Sequence, residues 1–212
     1  MVVIGAGAVG AACAYYLAEA GLSVTVLDRG SVAAGTTGAG EGNILVSDKQ
    51  PGPELELALL SGRLWRELDS EVAGPAELEL KGGLVVAPRA EALDGLRVLA
   101  EGQMAAGVQT ETVGGERLRE LEPELADGLP GAILYPQDMQ VQPMLAAAHL
   151  LAAARARGAQ VRLGEAVTAL RRAGERVTGV ITEAGATWWL RVLPWQRPLT
   201  TARAIVDAGP PG

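Results

Sequence analysis

The sequence predicts an α/β fold built on a parallel sheet, and three features at its start carry that prediction. Residues 1–4 are apolar and end at a glycine, as a short buried strand does. Residues 8–20 are a helical run with no charged residue before Glu19, so this helix must be covered on most sides. Gly21 ends the helix, and residues 23–27 form a second predicted strand. Together they make a βαβ unit of about thirty residues.

Three glycines, Gly5, Gly7 and Gly10, are spaced as G-x-G-x-x-G at the turn between the first strand and the helix. In this motif the first permits a tight turn, the second lets a pyrophosphate approach the backbone, and the third allows close packing. Asp28, at the end of the second strand, can accept hydrogen bonds from a ribose hydroxyl. A dinucleotide site is therefore predicted, and a βαβ core without ligand is the alternative. Its turn comprises Gly5, Ala6, Gly7, Ala8, Val9 and Gly10.

A second glycine-rich stretch, residues 35–43, follows the strand that carries Asp28. An ordinary nicotinamide-binding fold would continue here into a helix and a strand with less glycine, although the motif alone leaves both NAD and FAD open. The threonine hydroxyls and accessible amides of the stretch suit contacts with a nucleotide. A flexible surface loop has the same composition and is the alternative.

The middle of the chain predicts an antiparallel α+β region. Residues 54–72 carry Leu57, Leu60, Leu64 and Leu68 at helical spacing, which predicts an amphipathic helix that packs through these leucines. Lys81-Gly82-Gly83 separates two short apolar runs and predicts a hairpin. The other predicted elements here are helices at 90–106 and 115–121 and strands at 108–113 and 131–135.

A helix that begins at Pro143 returns the chain to the first region, because proline favours the first helical turn. Three predicted strands follow it, at 159–163, 165–171 and 176–182. We therefore predict a discontinuous nucleotide-binding domain, residues 1–75 and 142–212. Residues 76–141 are inserted into it as the antiparallel α+β region.

The composition argues against several kinds of site. A net charge of −7 without a dense run of lysine or arginine argues against a nucleic-acid surface. The single cysteine, Cys13, cannot form an internal disulfide, and we expect a buried thiol in a reducing compartment. The single histidine, His149, falls inside a predicted helix and is expected to pack there. No metal site is predicted, because one cysteine and one histidine do not form a zinc cluster, although carboxylates leave other metals open.

The uncharged stretch at 2–18 raises the question of a secretory leader or a membrane span. Ala18-Glu19-Ala20 matches a small-x-small cleavage pattern. The stretch lacks a positively charged start, contains three glycines, and is too short for a typical span. We therefore predict a cytoplasmic protein without a membrane span.

These motifs together resemble the D-amino-acid oxidase family of FAD-dependent oxidoreductases, which includes glycine and sarcosine oxidases. The resemblance begins with residues 2–30 and 34–43 and extends to about residue 185. Further landmarks occur in the family order. They are GGLVVA at 82–87, LEPEL at 121–125, VQP at 141–143, GAQV at 158–161 and AVTAL at 166–170.

The resemblance implies an FAD bound in extended form, and it makes the inserted residues 76–141 part of a substrate domain. It assigns the glycine turn to the pyrophosphate, Asp28 to the adenosine ribose with Arg29 beside it, and the backbone of Val167 to the adenine. A plain core valine is the alternative for Val167. The remaining implied contacts are Thr36, Thr37 and Gly38 near the pyrophosphate and ribityl chain, Gly42 and Asn43 near the flavin, and a small-residue turn at Ala208 and Gly209.

The sequence departs from the family pattern after Gly185. Three of the four tryptophans lie within 186–203, and no acidic residue occurs between Glu183 and Asp207. An insertion or a shifted reading frame explains both features, and a surface hairpin with aromatic anchors is the alternative. The family pattern also continues beyond Gly212. We therefore expect a C-terminally truncated fold that lacks the residues holding the substrate.

The resemblance implies oxidation of the C–N bond of a small amino acid or secondary amine. Hydride passes from carbon to flavin N5, and water hydrolyses the resulting imine. The cofactor carries this chemistry, so the missing Ser/His or paired-carboxylate pattern does not count against it. No catalytic residue is predicted. The alternative is a non-catalytic FAD-binding fragment, or a subunit that needs a partner, and oligomer formation is left open.

Overall fold

The structure is a computed structural model that describes residues 1–68 and 70–189. Within these residues the chain forms two compact units. The first comprises Met1–Glu41, Gly74–Ala76 and the chain from Gln142, and the second comprises Gly42–Ala73 and Glu77–Val141. Both contain helices and strands, which confirms the predicted α/β class. The predicted turn at Ala208 and Gly209 lies outside the described residues.

The helices and strands follow one another closely along the described chain. In order they are β1 (Val2–Ile4), α1 (Ala8–Glu19), β2 (Thr25–Asp28), β3 (Asn43–Ile44), α2 (Pro53–Glu67), α3 (Ser70–Ala73), β4 (Gly83–Ala87), α4 (Ala90–Ala105), β5 (Glu111–Val113), α5 (Gly115–Leu121), β6 (Gly131–Tyr135), β7 (Met139–Gln140), α6 (Pro143–Ala156), β8 (Gln160–Leu163), β9 (Val167–Ala173), β10 (Arg176–Thr182) and β11 (Thr187–Trp189). A 3₁₀ turn, Thr36–Ala39, lies between β2 and β3.

The first unit contains a parallel sheet in the order β1–β2–β8. Val26 pairs with Val3 on one side and with Val161 on the other. Helices α1 and α6 pack against each other, and most of their buried residues are alanines, which lets the two backbones approach closely. The predicted βαβ arrangement at the start of the chain is therefore present, with α1 joining two parallel strands.

The first unit also contains an antiparallel sheet in the order β11–β10–β9. Val180 of this sheet packs with Val2 and Leu27, and Val167 and Trp188 cover the same cluster. The indole N–H of Trp188 donates to Oε1 of Glu165 at 2.8 Å. The start of the tryptophan-rich segment is thus a regular strand with one anchored indole, and residues 190–212 lie outside the described part.

The second unit is built on an antiparallel sheet in the order β4–β6–β5, beside the two-stranded pair of β3 and β7. Its main core contains Leu55 of α2 together with Ile133 and Tyr135 of β6. A smaller cluster gathers Val113 and Leu118. Residues 42–73 therefore belong to this compact unit, whereas the sequence prediction grouped residues 1–75 with the nucleotide-binding domain.

Helix α2 buries a different face from the predicted one. Leu57, Leu60 and Leu64 are exposed, and the exposed fraction of Leu57 is 66%. The inward positions instead recur at Leu55, Ala58, Leu59 and Gly62, which follow the i, i+3, i+4, i+7 pattern of a helix. The prediction selected the wrong stripe because both stripes contain leucines at helical spacing.

The predicted hairpin around Lys81-Gly82-Gly83 is wrong. β4 pairs with β6, from Gly83 with Tyr135 to Ala87 with Gly131, and Glu79 forms an isolated bridge with Gln140. Gly82 has a positive φ of 75°, and its N–H donates to the carbonyl of Asp138. The glycines therefore turn the chain toward a partner distant in sequence, not back on itself.

Among the described residues, no helix has both the length and the apolar character needed to cross a membrane.

Candidate cofactor site

The glycine turn between β1 and α1 is shaped by backbone geometry that other residues do not allow. Gly5 has a φ of 104°, in the region that favours glycine, and its N–H donates to the carbonyl of Leu27 at 2.8 Å. A Cβ added at Gly10 would overlap the carbonyl oxygen of Gly5. Glycine at these two positions therefore lets α1 start directly against the end of β1.

The carboxylate of Asp28 holds this turn from the end of β2. Its Oδ2 accepts a hydrogen bond from the N–H of Ala6 at 2.6 Å, and its Oδ1 accepts one from the N–H of Gly30 at 2.7 Å. Each carboxylate oxygen has a further acceptor position, so Asp28 can bind another donor without leaving the turn.

The hydroxyl of Thr37 lies at the start of α1 and caps that helix. Its Oγ1 accepts a hydrogen bond from the N–H of Ala8 at 2.9 Å, and a Cβ added at Gly7 would lie 2.9 Å from the same oxygen. The helix has no acidic residue in its first turn and no side-chain cap of its own. The start of α1 therefore meets the Thr37 hydroxyl, while the carboxylate of Asp28 binds the amide of Ala6 just before the helix.

The 3₁₀ turn that carries Thr37 is fixed to the glycine turn by further backbone contacts. Ala33 has a φ of 57°, and its N–H donates to the carbonyl of Ala6 at 3.1 Å. A Cβ added at Gly38 would overlap the carbonyl oxygen of Ala33. Gly30 and Ala33 were not among the predicted site residues. The glycine after Asp28 was a usable signal for Gly30, whereas nothing in the sequence marks Ala33.

The segment between β8 and β9 reaches the same place in the first unit. The N–H of Glu165 donates to the carbonyl of Asp28 at 2.8 Å, and the N–H of Gly164 donates to the carbonyl of Gly30 at 3.3 Å. Val167, two residues further on, packs its side chain on the Val2 and Leu27 cluster. Its side chain is thus a core contact, and the contact of its backbone with the adenine stays a prediction.

The other predicted residues divide into two sets. Arg29, Thr36 and Val9 are exposed in the first unit and so are accessible to a ligand. Gly42 and Asn43 belong to the second unit. Gly42 has a φ of 78° and accepts from the N–H of Val141 at 2.9 Å, and Asn43 pairs with Gln140.

The burial of Cys13 and of His149 can be compared with the predictions. Cys13 is half-buried, not fully buried, and burial raises the pKa of its thiol. His149 lies in α6 and is half-buried, as expected for a packed helical residue. Across residues 1–68 and 70–189, no three His, Cys, Asp or Glu side chains gather as a metal site would need.

The glycine turn fits a dinucleotide on the chemistry of its groups. The turn leaves no room for a side chain at Gly10, holds Gly5 at a positive φ, presents the start of a helix, and places a carboxylate beside it. The glycines and the helix start suit a pyrophosphate, and the carboxylate suits a ribose.

Comparison with known proteins gives this geometry a family. A relative from Paenarthrobacter nicotinovorans, 4-methylaminobutanoate oxidase (formaldehyde-forming), is 29% identical over 96% of this chain and 25% of its own. The anaerobic glycerol-3-phosphate dehydrogenase subunit A1 of Haloferax volcanii is 31% identical over 85% of this chain and 30% of its own.

A solved structure of glycine oxidase from Geobacillus kaustophilus matches with a TM-score of 0.78 and 27% identity. The match covers 89% of this chain and 52% of the oxidase. The chain therefore spans between about a quarter and about half of the length of these proteins. The family model of FAD dependent oxidoreductases (DAO) matches residues 1–211, so the chain belongs to that family, whose cofactor is FAD.

Proposed function

We propose that this chain binds FAD as part of an oxidoreductase that oxidises the C–N bond of a small amino acid or secondary amine. The observation that carries the proposal is the glycine turn. A side chain at Gly10 is sterically excluded, and Asp28 and Thr37 lie on the turn's amides. The turn combines these groups with the start of a twelve-residue helix.

In this proposal the adenosine and pyrophosphate groups are held by the first unit. Asp28 accepts from the ribose hydroxyls through the acceptor positions that its contacts with Ala6 and Gly30 leave available. The amides at the start of α1 and the hydroxyls of Thr36 and Thr37 meet the pyrophosphate. Arg29 lies next to Asp28 and is exposed to the same ligand.

The remaining assigned contacts follow the family resemblance. Val167 contributes its backbone near the adenine, and Gly38 supports the turn that carries Thr37. Gly42 and Asn43 approach the flavin, and Ala208 and Gly209 form the small-residue turn. Bound flavin supplies the electron acceptor for amine oxidation, and this chain supplies binding and orientation.

Two relatives support an amine or amino acid as the substrate. The 4-methylaminobutanoate oxidase and the glycine oxidase both bear the names of amines. Glycerol 3-phosphate is the second candidate, because the Haloferax volcanii relative is a dehydrogenase of that compound. No residue of this chain is assigned to the substrate.

A second interpretation is that the chain is a non-catalytic FAD-binding fragment, or a subunit whose partner completes the substrate pocket. The subunit name of one relative, the glycerol-3-phosphate dehydrogenase subunit A1, supports the subunit interpretation. The single half-buried thiol supports a reducing compartment, and we propose the cytoplasm.

Anaerobic mixing of the FAD-loaded chain with candidate substrates tests the proposal. Glycine, sarcosine and 4-methylaminobutanoate are each expected to bleach the oxidised flavin spectrum if the chain holds a competent site for amines. Bleaching only by glycerol 3-phosphate would favour the second substrate class. A flavin that stays oxidised with every compound would contradict catalysis by this chain and favour the fragment or subunit.

A further inference from the structure

Three buried polar side chains of the second unit converge on one short stretch of backbone, residues 46–49. Gln103 of α4, Tyr135 at the end of β6 and Asp138 just before β7 are each 1% exposed or less. No sequence motif marks any of them. Each contacts the stretch itself or another member of the group, which we call the buried clamp.

Asp138 binds the donors of the stretch. Its Oδ1 accepts from the N–H of Val46 at 2.7 Å and from the N–H of Ser47 at 3.3 Å. Its Oδ2 occupies the space in which a side chain at position 83 would lie, since a Cβ added at Gly83 would be 2.6 Å from it. Strand β4 and the loop residues 46–47 therefore both lie against this carboxylate.

Gln103 binds the acceptors of the same stretch. Its Nε2 lies 2.7 Å from the carbonyl oxygen of Lys49 and 3.2 Å from those of Val46 and Ser47. Carbonyl oxygens cannot donate, so the amide nitrogen must face them and the amide oxygen must face away. The hydroxyl of Tyr135 donates to that oxygen at 2.9 Å, which fixes the orientation of Gln103.

The clamp continues a backbone ladder that begins at Gly42. The carbonyl of Gly42 accepts from Val141, and Asn43 and Ile44 pair with Gln140 and Met139. The residue before that partner strand is Asp138, and its carboxylate accepts hydrogen bonds from the N–H groups of Val46 and Ser47. The backbone of residues 42–47 is thus held along its length by residues 138–141.

Burying an acid, an amide and a phenol is a costly way to fix a loop, because each polar group loses water. Apolar packing fills space without that cost, whereas a fully satisfied polar network also specifies one backbone conformation. Every buried side-chain nitrogen and oxygen of the described residues has a partner, so this network is satisfied. The structural consequence of this network is a single defined backbone conformation for residues 42–49.

We infer that Gln103, Tyr135 and Asp138 are positioning residues for the flavin end of the cofactor, acting through residues 42–47. The inference rests on the proposed function, which assigns Gly42 and Asn43 to the flavin. None of the three side chains is required to touch the cofactor. They fix the register and direction of the backbone that does.

The test compares FAD with ADP, which shares the adenosine diphosphate end but lacks the flavin. The variant is Gln103→Met, which removes both the donor and the acceptor of the amide and keeps a side chain of similar length. Leu118→Ala is the matched control, because Leu118 is also buried in the second unit but belongs to the other cluster. Dissociation constants of both nucleotides and the visible circular dichroism of bound FAD are measured.

Gln103→Met is expected to weaken FAD about tenfold and change its visible dichroism, because the freed carbonyls let the backbone move. ADP affinity is expected to stay within about twofold, since the glycine turn is in the other unit. Tyr135→Phe removes one hydroxyl and is expected to shift FAD in the same direction by less. It also serves if Gln103→Met does not fold.

Three results would overturn the inference. One is an unchanged FAD affinity and spectrum in both variants. Another is a parallel loss of FAD and ADP that Leu118→Ala reproduces, which would mark general destabilisation. The third is an unaltered chain that binds ADP no more weakly than FAD, since the flavin end would then contribute nothing. A chain that binds neither nucleotide would contradict the proposed function itself, and the inference with it.

Discussion

Gly10 is the residue at which a single methyl group has the largest expected effect on the cofactor site. In Gly10→Ala the added Cβ would overlap the carbonyl oxygen of Gly5, so strand and helix must separate and the turn must open. We expect loss of measurable FAD binding and a lower melting temperature. Isothermal titration and thermal unfolding of the variant check both.

Gly95→Ala is the control for this substitution. Gly95 also lies within a helix, α4, but a Cβ added there meets nothing within 4 Å. Replacement of an exposed helical glycine by alanine is expected to stabilise by about 0.5–1 kcal/mol. Normal FAD binding in Gly10→Ala would show that the turn does not have the described geometry.

Replacement of Asp28 even by asparagine is expected to destabilise the turn. Both carboxylate oxygens accept from backbone N–H groups, whereas asparagine offers one oxygen and would direct its NH₂ at the other donor. Asp28→Asn is expected to cost about 1–3 kcal/mol, because one of the two part-buried hydrogen bonds loses its acceptor. It should also weaken FAD and ADP alike, and equilibrium unfolding and nucleotide titration measure the two effects.

Asp94→Asn supplies the comparison, since Asp94 forms an exposed ion pair with Arg97. Exposed pairs contribute about 0–1 kcal/mol, so this variant should bind both nucleotides normally. If Asp28→Asn were as neutral as Asp94→Asn, the carboxylate would not hold the turn.

Tyr135 gives the chain a stability that falls at alkaline pH. Burial, and then the negative charge of Asp138, raise the pKa of its hydroxyl. The folded pKa therefore lies above the unfolded one, and its contribution is present below the ordinary pKa of about 10 and lost as pH rises through the folded pKa. Urea unfolding as a function of pH should show the decline, and Tyr135→Phe should reduce it.

Both proteins in that comparison should carry Cys13→Ser. The pKa of Cys13 is also raised by burial, so its ionisation would lower stability in the same direction. An identical alkaline decline with tyrosine and with phenylalanine at position 135 would show that the Tyr135 hydroxyl is not the group responsible.

At the scale of elements, helix α2 offers a matched pair of leucines on opposite faces. Leu55 is 0% exposed and packs with the core of the second unit, whereas Leu57 is 66% exposed. Leu55→Ala is expected to cost about 2–5 kcal/mol, from lost burial and the cavity left behind. Leu57→Ala should change the unfolding free energy by less than about 0.5 kcal/mol.

Denaturant unfolding of the two variants decides between the faces. Greater destabilisation by Leu57→Ala than by Leu55→Ala would show that α2 buries the face predicted from the leucine spacing.

The elements also show where sequence reasoning succeeds. Helix α1 and strand β10 were predicted to within one residue, because glycines lie within three residues of their ends and their sequence patterns are local. The pairing of β4 was missed because its partner, β6, lies far along the chain, and no local pattern records that choice. The glycine turn and Asp28 follow a known motif, whereas the contacts of Ala33, Gln103 and Asp138 arise only on folding.

At the scale of the whole molecule, the described chain is two compact units, each with its own core. The glycine turn, Asp28 and Thr37 all belong to the first. The chain spans about a quarter to a half of the length of the compared proteins, and FAD binding is the role that we propose for these residues.

The most direct test of this account is gel filtration of the purified chain after incubation with FAD, with absorbance recorded across the protein peak. We predict flavin absorbance that elutes with the protein and is absent for Gly10→Ala. A colourless protein peak at a saturating FAD concentration would contradict the claim that these residues form a cofactor site.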